Sequence, residues 1–355
     1  MIGALDATPL AEPAGGIARY TRELSRALAC CFAEDEWWLV SDRPVKHPVD
    51  APANLHLRAV RRGPAARRWW LIGVREEIRK LNAQVFHGTD FSVPYLPVCA
   101  SVMTVHDLSP WTRPPIRAAS ARVRMRTPVL LRLGLATMVI TPSETIRRDV
   151  MERFGLTADR VVATPLAAAP TFQPAPGEPP ARPYFLYAGM LDARKNVETI
   201  VAAWREVKKH REVDLILAGR RRSAMVPDEP GLQVRESVCD AGLAHLYSHA
   251  AAFLFPSLYE GFGLPVLEAM QCGAPVIASR DPAVMETAGG AATLLDARDV
   301  SAWKEAMLAA LDTAAWRASM RERGLARAAE FSWERTARRT REVYAEAIGR
   351  FRREA

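Results

Sequence analysis

Residues 257–279 read SLYEGFGLPVLEAMQCGAPVIAS. The apolar run AAFLFPS (251–257) leads into this stretch and APVIAS (274–279) closes it, and both have the composition of buried strands. Between them lie a loop, LYEGFG, and a helical segment, LPVLEAMQCG, with Pro265 suited to the first turn and Gly273 to the stop. A strand, a helix and a second buried strand in this order form a βαβ unit, which requires a parallel sheet covered by helices. Glu260 falls in the loop and Glu268 in the helix, with seven residues between them. Gly261 and Gly263 let a ligand approach the backbone, and the free N–H groups of the helix start favour a phosphate. Two carboxylates beside an anion site suit the hydroxyls of sugars and ribose. The same residues also read as a glycine-rich turn with solvated glutamates.

The alternation extends outward in both directions. YFLYAG (184–189), DLILAG (214–219) and ATLLD (292–296) read as strands of the second half. After the first of these, Arg194 and Lys195 precede Asn196, a residue suited to cap a helix whose buried face carries Val197, Ile200, Val201, Trp204 and Val207. Two cations at a helix start form an anion cradle. In the first half EWWLVSD, LHLRAV, VFHGTD, SVMTVHD and ATMVITPS read as strands. Helical faces there carry Ile17, Tyr20, Leu24 and Leu28, and Ile146, Val150 and Phe154, the latter capped by Ser143 and stopped by Gly155. PTFQPAPGEPPARP (170–183) holds six prolines and reads as a linker. The expected organisation is α/β, with two Rossmann-like domains facing each other across a cleft. Residues 1–172 form the first domain, 173–183 the linker and 184–331 the second. A terminal helix over 332–355, capped by Ser332, buries Ala337, Thr340, Val343, Tyr344, Ala347, Ile348 and Phe351, and its return to the first domain is one option.

The chain has 355 residues, 25% of them charged and 49% hydrophobic, as in ordinary two-domain globular proteins. Cys30, Cys31, Cys99, Cys239 and Cys272 are odd in number and lack Cys-x-x-Cys spacing, so reduced thiols and a cytoplasmic setting are expected. The start, MIGALDATPLAEPAGG, lacks the pattern of a secretory signal, and no window holds the ~20 apolar residues that span a bilayer. Between Arg58 and Arg132 stand fourteen Lys or Arg against Glu76, Glu77, Asp90 and Asp107, an excess larger than the net +8 of the whole chain. With Trp69 and Trp70 beside Arg67 and Arg68, this stretch reads either as a surface for anionic lipid or as solvated arginine around core tryptophans. It contains no nucleic-acid-binding motif.

The second half resembles the retaining glycosyltransferases of family four, which have the GT-B fold. The likeness runs from about Tyr184 to Phe331 and includes YAGMLDARKN, LAGR, METAGGAATLLDARD and FSWE. Its most specific part is EGFGLPVLEAM, where Glu260 and Glu268 match the family's E-x7-E motif. The resemblance implies that Glu260 contacts the sugar of a nucleoside-diphosphate sugar and Glu268 the ribose. It implies that Arg194 and Lys195 neutralise the departing diphosphate, and that Gly189, Gly263 and Leu264 line the donor site. In the first half, GGIARYTREL is similar to the family's glycine-rich loop, which puts Gly15 and Gly16 near the donor phosphate, although Ala18 stands where the family often has a further glycine. TVHDLSPW resembles a segment of mannosyltransferase-like members, which puts His106 near the sugar and Asp107 in support of its loop.

Breaking an anomeric C–O bond with loss of a diphosphate requires the charge of the leaving group to be neutralised. The sequence has no Asp-x-Asp of the kind metal-using transferases carry, so fixed cations are expected to take that part, with no metal and no cofactor. The expected partners are a donor such as GDP-mannose, a saccharide or lipid-linked acceptor and an anionic membrane, but no nucleic acid. Cell-surface polysaccharide synthesis is the expected setting. A nucleotide-sugar epimerase on the same fold and an inert scaffold subunit are the alternatives. The EGFGLPVLEAM motif speaks against the first, and the intact Glu260, Glu268, Arg194 and Lys195 speak against the second.

Overall fold

A computed structural model describes residues 1–11, 15–48, 50–59, 67–112, 120–178, 180–222 and 227–354. The chain divides into two compact units, Met1–Leu166 with Trp333–Ala355, and Ala167–Ser332.

The first unit holds a seven-stranded sheet in the order β3-β2-β1-β4-β5-β6-β7. Its strands are β1 (Ile2–Asp6), β2 (Glu36–Ser41), β3 (Leu55–Ala59), β4 (Val85–Gly88), β5 (Ala100–Thr104), β6 (Met138–Thr141) and β7 (Val161–Ala163). All neighbouring pairs are parallel, so the ladder buries both faces and needs helices on each. The helices are α1 (Gly16–Cys31), α2 (Val74–Leu81), α3 (Ser120–Arg132) and α4 (Glu144–Phe154). Ser143 caps α4 by accepting from the Ile146 N–H at 3.2 Å, and Gly155 ends it with φ 65°.

Two strands escape the sequence reading, and one of them is central. β1 lies between β2 and β4, yet IGALD is short and carries Gly3. A Cβ at Gly3 would sit 2.6 Å from the Trp37 ring, so the small residue makes room for the indole of β2. Of the two readings of the tryptophans, at a lipid surface or in the core, the structure supports the core. Trp69 is 3% exposed, within a core cluster with Val74, Ile78 and Phe86, and Trp70 packs against that cluster with the Arg126 guanidinium 5.3 Å from its ring centre. Tryptophan buries more apolar area here than any other residue of the segment, which favours the core. Arg61, Arg62, Arg113 and Arg117 of the basic stretch lie outside the described residues.

The terminal helix, α11 (Trp333–Glu354), belongs to the first unit. The stripe read from its sequence is buried at Ala337, Thr340, Val343, Tyr344 and Ala347. Arg341 bonds Asp35 at 2.7 Å, and Thr336 donates to the Pro165 carbonyl at 2.6 Å. At the centre a buried polar chain runs from Tyr20 to Thr104 (2.9 Å), from Thr104 to His87 Nε2 (2.7 Å) and from His87 Nδ1 to Tyr344 Oη (2.6 Å).

Burial lowers the His87 pKa to about 3, so the ring is neutral in the folded protein. A histidine depressed by folding contributes stability that is complete above its ordinary value of 6.5 and lost as pH falls towards about 3. The loss amounts to about 1.4 kcal/mol per pH unit in that window. Urea unfolding of the wild type and His87→Gln should therefore converge by about 2 kcal/mol between pH 7.5 and pH 5. A difference independent of pH would show that His87 accepts a proton in place.

The second unit holds a six-stranded parallel sheet in the order β10-β9-β8-β11-β12-β13. Its strands are β8 (Tyr184–Ala188), β9 (Asp214–Ala218), β10 (Leu232–Arg235), β11 (Ala252–Phe255), β12 (Val276–Ser279) and β13 (Thr293–Leu295). The helices are α5 (Val197–Lys208), α6 (Asp240–His249), α7 (Leu264–Gln271), α8 (Pro282–Ala288), α9 (Val300–Asp312) and α10 (Ala314–Ala328). Val197, Ile200, Val201, Trp204 and Val207 of α5 are all buried, as their spacing predicts. The proline-rich segment packs on this unit, and the division falls after Leu166 rather than at residue 172. Gln271 of α7 donates to the carbonyls of Ala169 (3.1 Å) and Phe172 (2.6 Å), and the Ala175 N–H donates to Ser248 of α6. Backbone groups outside any ladder need partners, and Gln271 and Ser248 supply some of them here.

Candidate functional site

In each sheet the strand order reverses direction between two neighbours, β1 and β4 in the first and β8 and β11 in the second. Loops leaving the carboxyl ends of such strands part there and open a crevice for ligands. In the second unit the residues singled out in the sequence leave β8 and β11.

After β8 the chain passes Gly189 and enters a short 3₁₀ turn, Ala193–Lys195. Asp192 caps that turn by accepting from the Lys195 N–H at 3.2 Å. Asn196 departs from the expected capping role. It has a left-handed backbone, φ 51°, and its side chain does not cap α5. Its amide instead donates to the carbonyls of Pro256 (3.2 Å) and Ala297 (2.6 Å), tying the loops after β8, β11 and β13 together.

After β11 comes the loop that carries Glu260. Lys195 hydrogen-bonds the Glu260 carboxylate, and Arg194 Nη1 lies 3.3 Å from its other oxygen. Arg194 also donates to the Tyr259 carbonyl at 2.6 Å. Glu260 and Lys195 are each only 8% exposed. Burial opposes the charge on Glu260, but Lys195 and Arg194 outweigh it and hold the carboxyl below its ordinary range. Two cations share one carboxylate in a desolvated place, with Asp192 and Asp281 close by, and charges there meet little screening.

Gly263 starts α7 with φ 92°, a conformation that favours glycine, and Leu264 is the first helical residue. Glu268 lies one turn along α7, 3% exposed, and accepts a long hydrogen bond of 3.4 Å from Tyr247 of α6. Thus Arg194, Lys195 and Glu260 form one cluster, while Glu268 occupies the neighbouring helix.

In the first unit, Gly15 and Gly16 stand at the start of α1. A Cβ at either would meet nothing within 4 Å among the described residues, so that unit itself does not require glycine there. His106 follows β5. Its Nε2 bonds the Thr89 carbonyl at 2.7 Å, and the Tyr20 ring meets it edge-on at 4.9 Å. A carbonyl only accepts, so Nε2 carries the proton and neutral His106 keeps Nδ1 as an acceptor. Asp107 accepts from the Ser109 N–H at 2.8 Å and holds the turn that follows.

Residues 14–168 match glycosyltransferase family 4, and residues 182–313 match the glycosyl transferases group 1. O-antigen chain mannosyltransferase B of Escherichia coli is 31% identical, with 95% of this chain and 97% of that enzyme covered. The chain belongs to glycosyltransferase family 4. Among solved structures, sucrose-phosphate synthase from Thermosynechococcus elongatus has a TM-score of 0.79 at 21% identity, covering 98% of this chain and 99% of that one. Anabaena HepE, solved with UDP and glucose, has a TM-score of 0.70 at 14% identity, covering 97% and 99%. These likenesses bear on the fold, and the glycosyltransferase is of the GT-B class.

The structure adds residues to the glycosyltransferase's site that motif reading passed over. Asp281 caps α8 by accepting from the N–H groups of Ala283 (3.0 Å) and Val284 (3.1 Å), and it accepts from the Glu260 N–H at 3.2 Å. It therefore fixes the backbone that carries Glu260. Burial, with Glu260 close by, raises its pKa to about 6 despite these bonds. The signal was present: an aspartate before a proline, directly after a strand, marks a helix start. Tyr247 had no such signal, because its contact with Glu268 joins two helices 21 residues apart.

Proposed function

We propose that this glycosyltransferase moves a hexose, mannose in preference, from a nucleoside-diphosphate sugar to a saccharide or lipid-linked acceptor in cell-surface polysaccharide synthesis. The buried cluster of Arg194, Lys195 and Glu260 beside the reversal of the second sheet carries this reading. Its two fixed cations suit a diphosphate, whose negative charge grows as the anomeric C–O bond breaks. The fixed cations neutralise the leaving group without a metal. Glu260 gives up part of its contact with the cations to accept a sugar hydroxyl, and Glu268 accepts from the ribose. Gly189, Gly263 and Leu264 line the donor. His106 offers Nδ1 to a sugar hydroxyl. GDP-mannose is the favoured donor because of the TVHDLSPW segment and the mannosyltransferase relative. Retention of configuration is part of this reading, supported by the resemblance of EGFGLPVLEAM to the retaining enzymes of the family.

Calorimetry with GDP, UDP and ADP tests the donor site. One nucleotide should bind, and Glu268→Ala should weaken it roughly 10–100-fold, the worth of a hydrogen bond to a charged group. Unchanged affinity would remove Glu268 from the site. Transfer is expected to persist in EDTA, and loss restored by Mg²⁺ or Mn²⁺ would overturn the metal-free reading.

A further inference from the structure

Eight large apolar side chains are more than a third exposed among the described residues, and six of them belong to three segments of the first unit. Met125, Val129 and Leu133 are 78%, 53% and 65% exposed. They recur every four residues along α3 and its end, which places them on one side of the helix. Leu71 is 39% exposed, Tyr95 38% and Leu96 48%. The three segments are joined to one another. Arg126 of α3 covers the Trp70 ring and hydrogen-bonds Ser92, and the Tyr95 N–H donates to the Trp70 carbonyl at 2.9 Å. Scattered exposed apolar residues are ordinary, but a gathered set marks an interaction surface.

The charges on α3 itself have one sign. α3 carries Arg122, Arg124, Arg126 and Arg132 and no acidic residue. Arg122 and Arg132 are exposed, as are Arg67 and Arg68 just ahead of Trp69. A helix that turns apolar residues outward between arginines has the pattern of an interfacial helix, whose apolar face enters the acyl boundary while its cations meet anionic headgroups. We propose that α3, with Leu71, Tyr95 and Leu96 beside it, docks the protein on an anionic phospholipid bilayer. Apolar contact supplies part of the binding and charge the rest. No helix among the described residues is long and apolar enough to cross a membrane, so this contact would be peripheral. The inference goes beyond the transfer reaction and does not depend on it.

Sedimentation with vesicles tests the proposal, with no donor present. The wild type should bind vesicles of equal parts phosphatidylglycerol and phosphatidylcholine and stay free of phosphatidylcholine alone. Val129→Glu with Leu133→Glu should weaken binding about tenfold or more, because two buried apolar contacts become charges facing acyl chains. Arg122→Ser with Arg132→Ser should weaken it as well, and salt should reduce that difference as charge is screened. Both positions in each pair are exposed, so melting curves should match the wild type. Wild-type protein left in the supernatant at low salt would overturn the proposal, and so would undiminished binding by the glutamate variant. A wild-type dimer that the glutamate variant turns into a monomer, seen by light scattering, would assign the face to a second copy of this chain instead. Failure of the donor reading would appear separately, as a wild type that binds no nucleotide.

Discussion

Lys195→Ala should lower kcat about 10²–10³-fold, the usual cost of removing one preorganised group from a developing negative charge. The argument rests on where the ammonium sits. Lys195 is 8% exposed and pairs with Glu260, while Arg194 holds the same carboxylate at 3.3 Å. Removing the lysine takes away one of the two cations of the cluster. Glu260 keeps Arg194, so the carboxylate is not left buried without a partner, and the stability loss should stay well below the ~3–5 kcal/mol typical of a broken buried pair. Rate and stability therefore separate. Initial rates of sugar transfer, measured beside melting curves, read the two effects. A wild-type rate would mean that the leaving group is neutralised elsewhere. A rate loss matched by an equal loss of folded protein would make Lys195 a structural residue.

A large effect on stability is expected at a glycine outside the E-x7-E motif. A Cβ at Gly219 would lie 1.7 Å from the Gly189 carbonyl oxygen, which is backbone and has no rotamer to change. The two turns are stitched together, with the Gly189 N–H on the Ala218 carbonyl and the Gly219 N–H on the Arg235 carbonyl, each at 2.9 Å. Gly219→Ala must push apart the ends of β8 and β9, and it should cost more than about 3 kcal/mol or prevent folding of the second unit. Gly16→Ala is the contrasting case. Its Cβ meets nothing within 4 Å among the described residues, so stability should change by less than about 1 kcal/mol. Donor affinity should nevertheless fall if the phosphates pass over that position. Urea unfolding and calorimetry on both variants distinguish a glycine required by the chain from one required by a ligand. Equal stability in the two would show that the β8 turn yields more readily than its packing indicates.

The sequence alone determined the periodic elements and singled out the motif. Runs such as FLYAG, LILAG and FLFPS are apolar without a break because a parallel strand is buried on both faces, and composition records that directly. The stripe of α11 from Ala337 to Ala347 was legible because a period of 3.6 is a local property. Glu260, Glu268, Arg194 and Lys195 stood out because they follow the carboxyl ends of strands, where ligands bind in such sheets. Tertiary structure alone decided what depends on distant partners. β1 becomes a strand because β2 and β4 bond it from both sides and Trp37 occupies the space that Gly3 leaves, neither of which its five residues encode. The neighbours of Trp69 in sequence left it either at a membrane surface or in the core, and α2 and β4 close over it. α11 joins the first unit because Asp35, His87 and Pro165 wait there for Arg341, Tyr344 and Thr336. Asp281 reaches Glu260, and Asn196 reaches Pro256 and Ala297, across 21, 60 and 101 residues. A hydrogen bond acts over about 3 Å in space, whatever the separation along the chain, so only the folded structure could pair them.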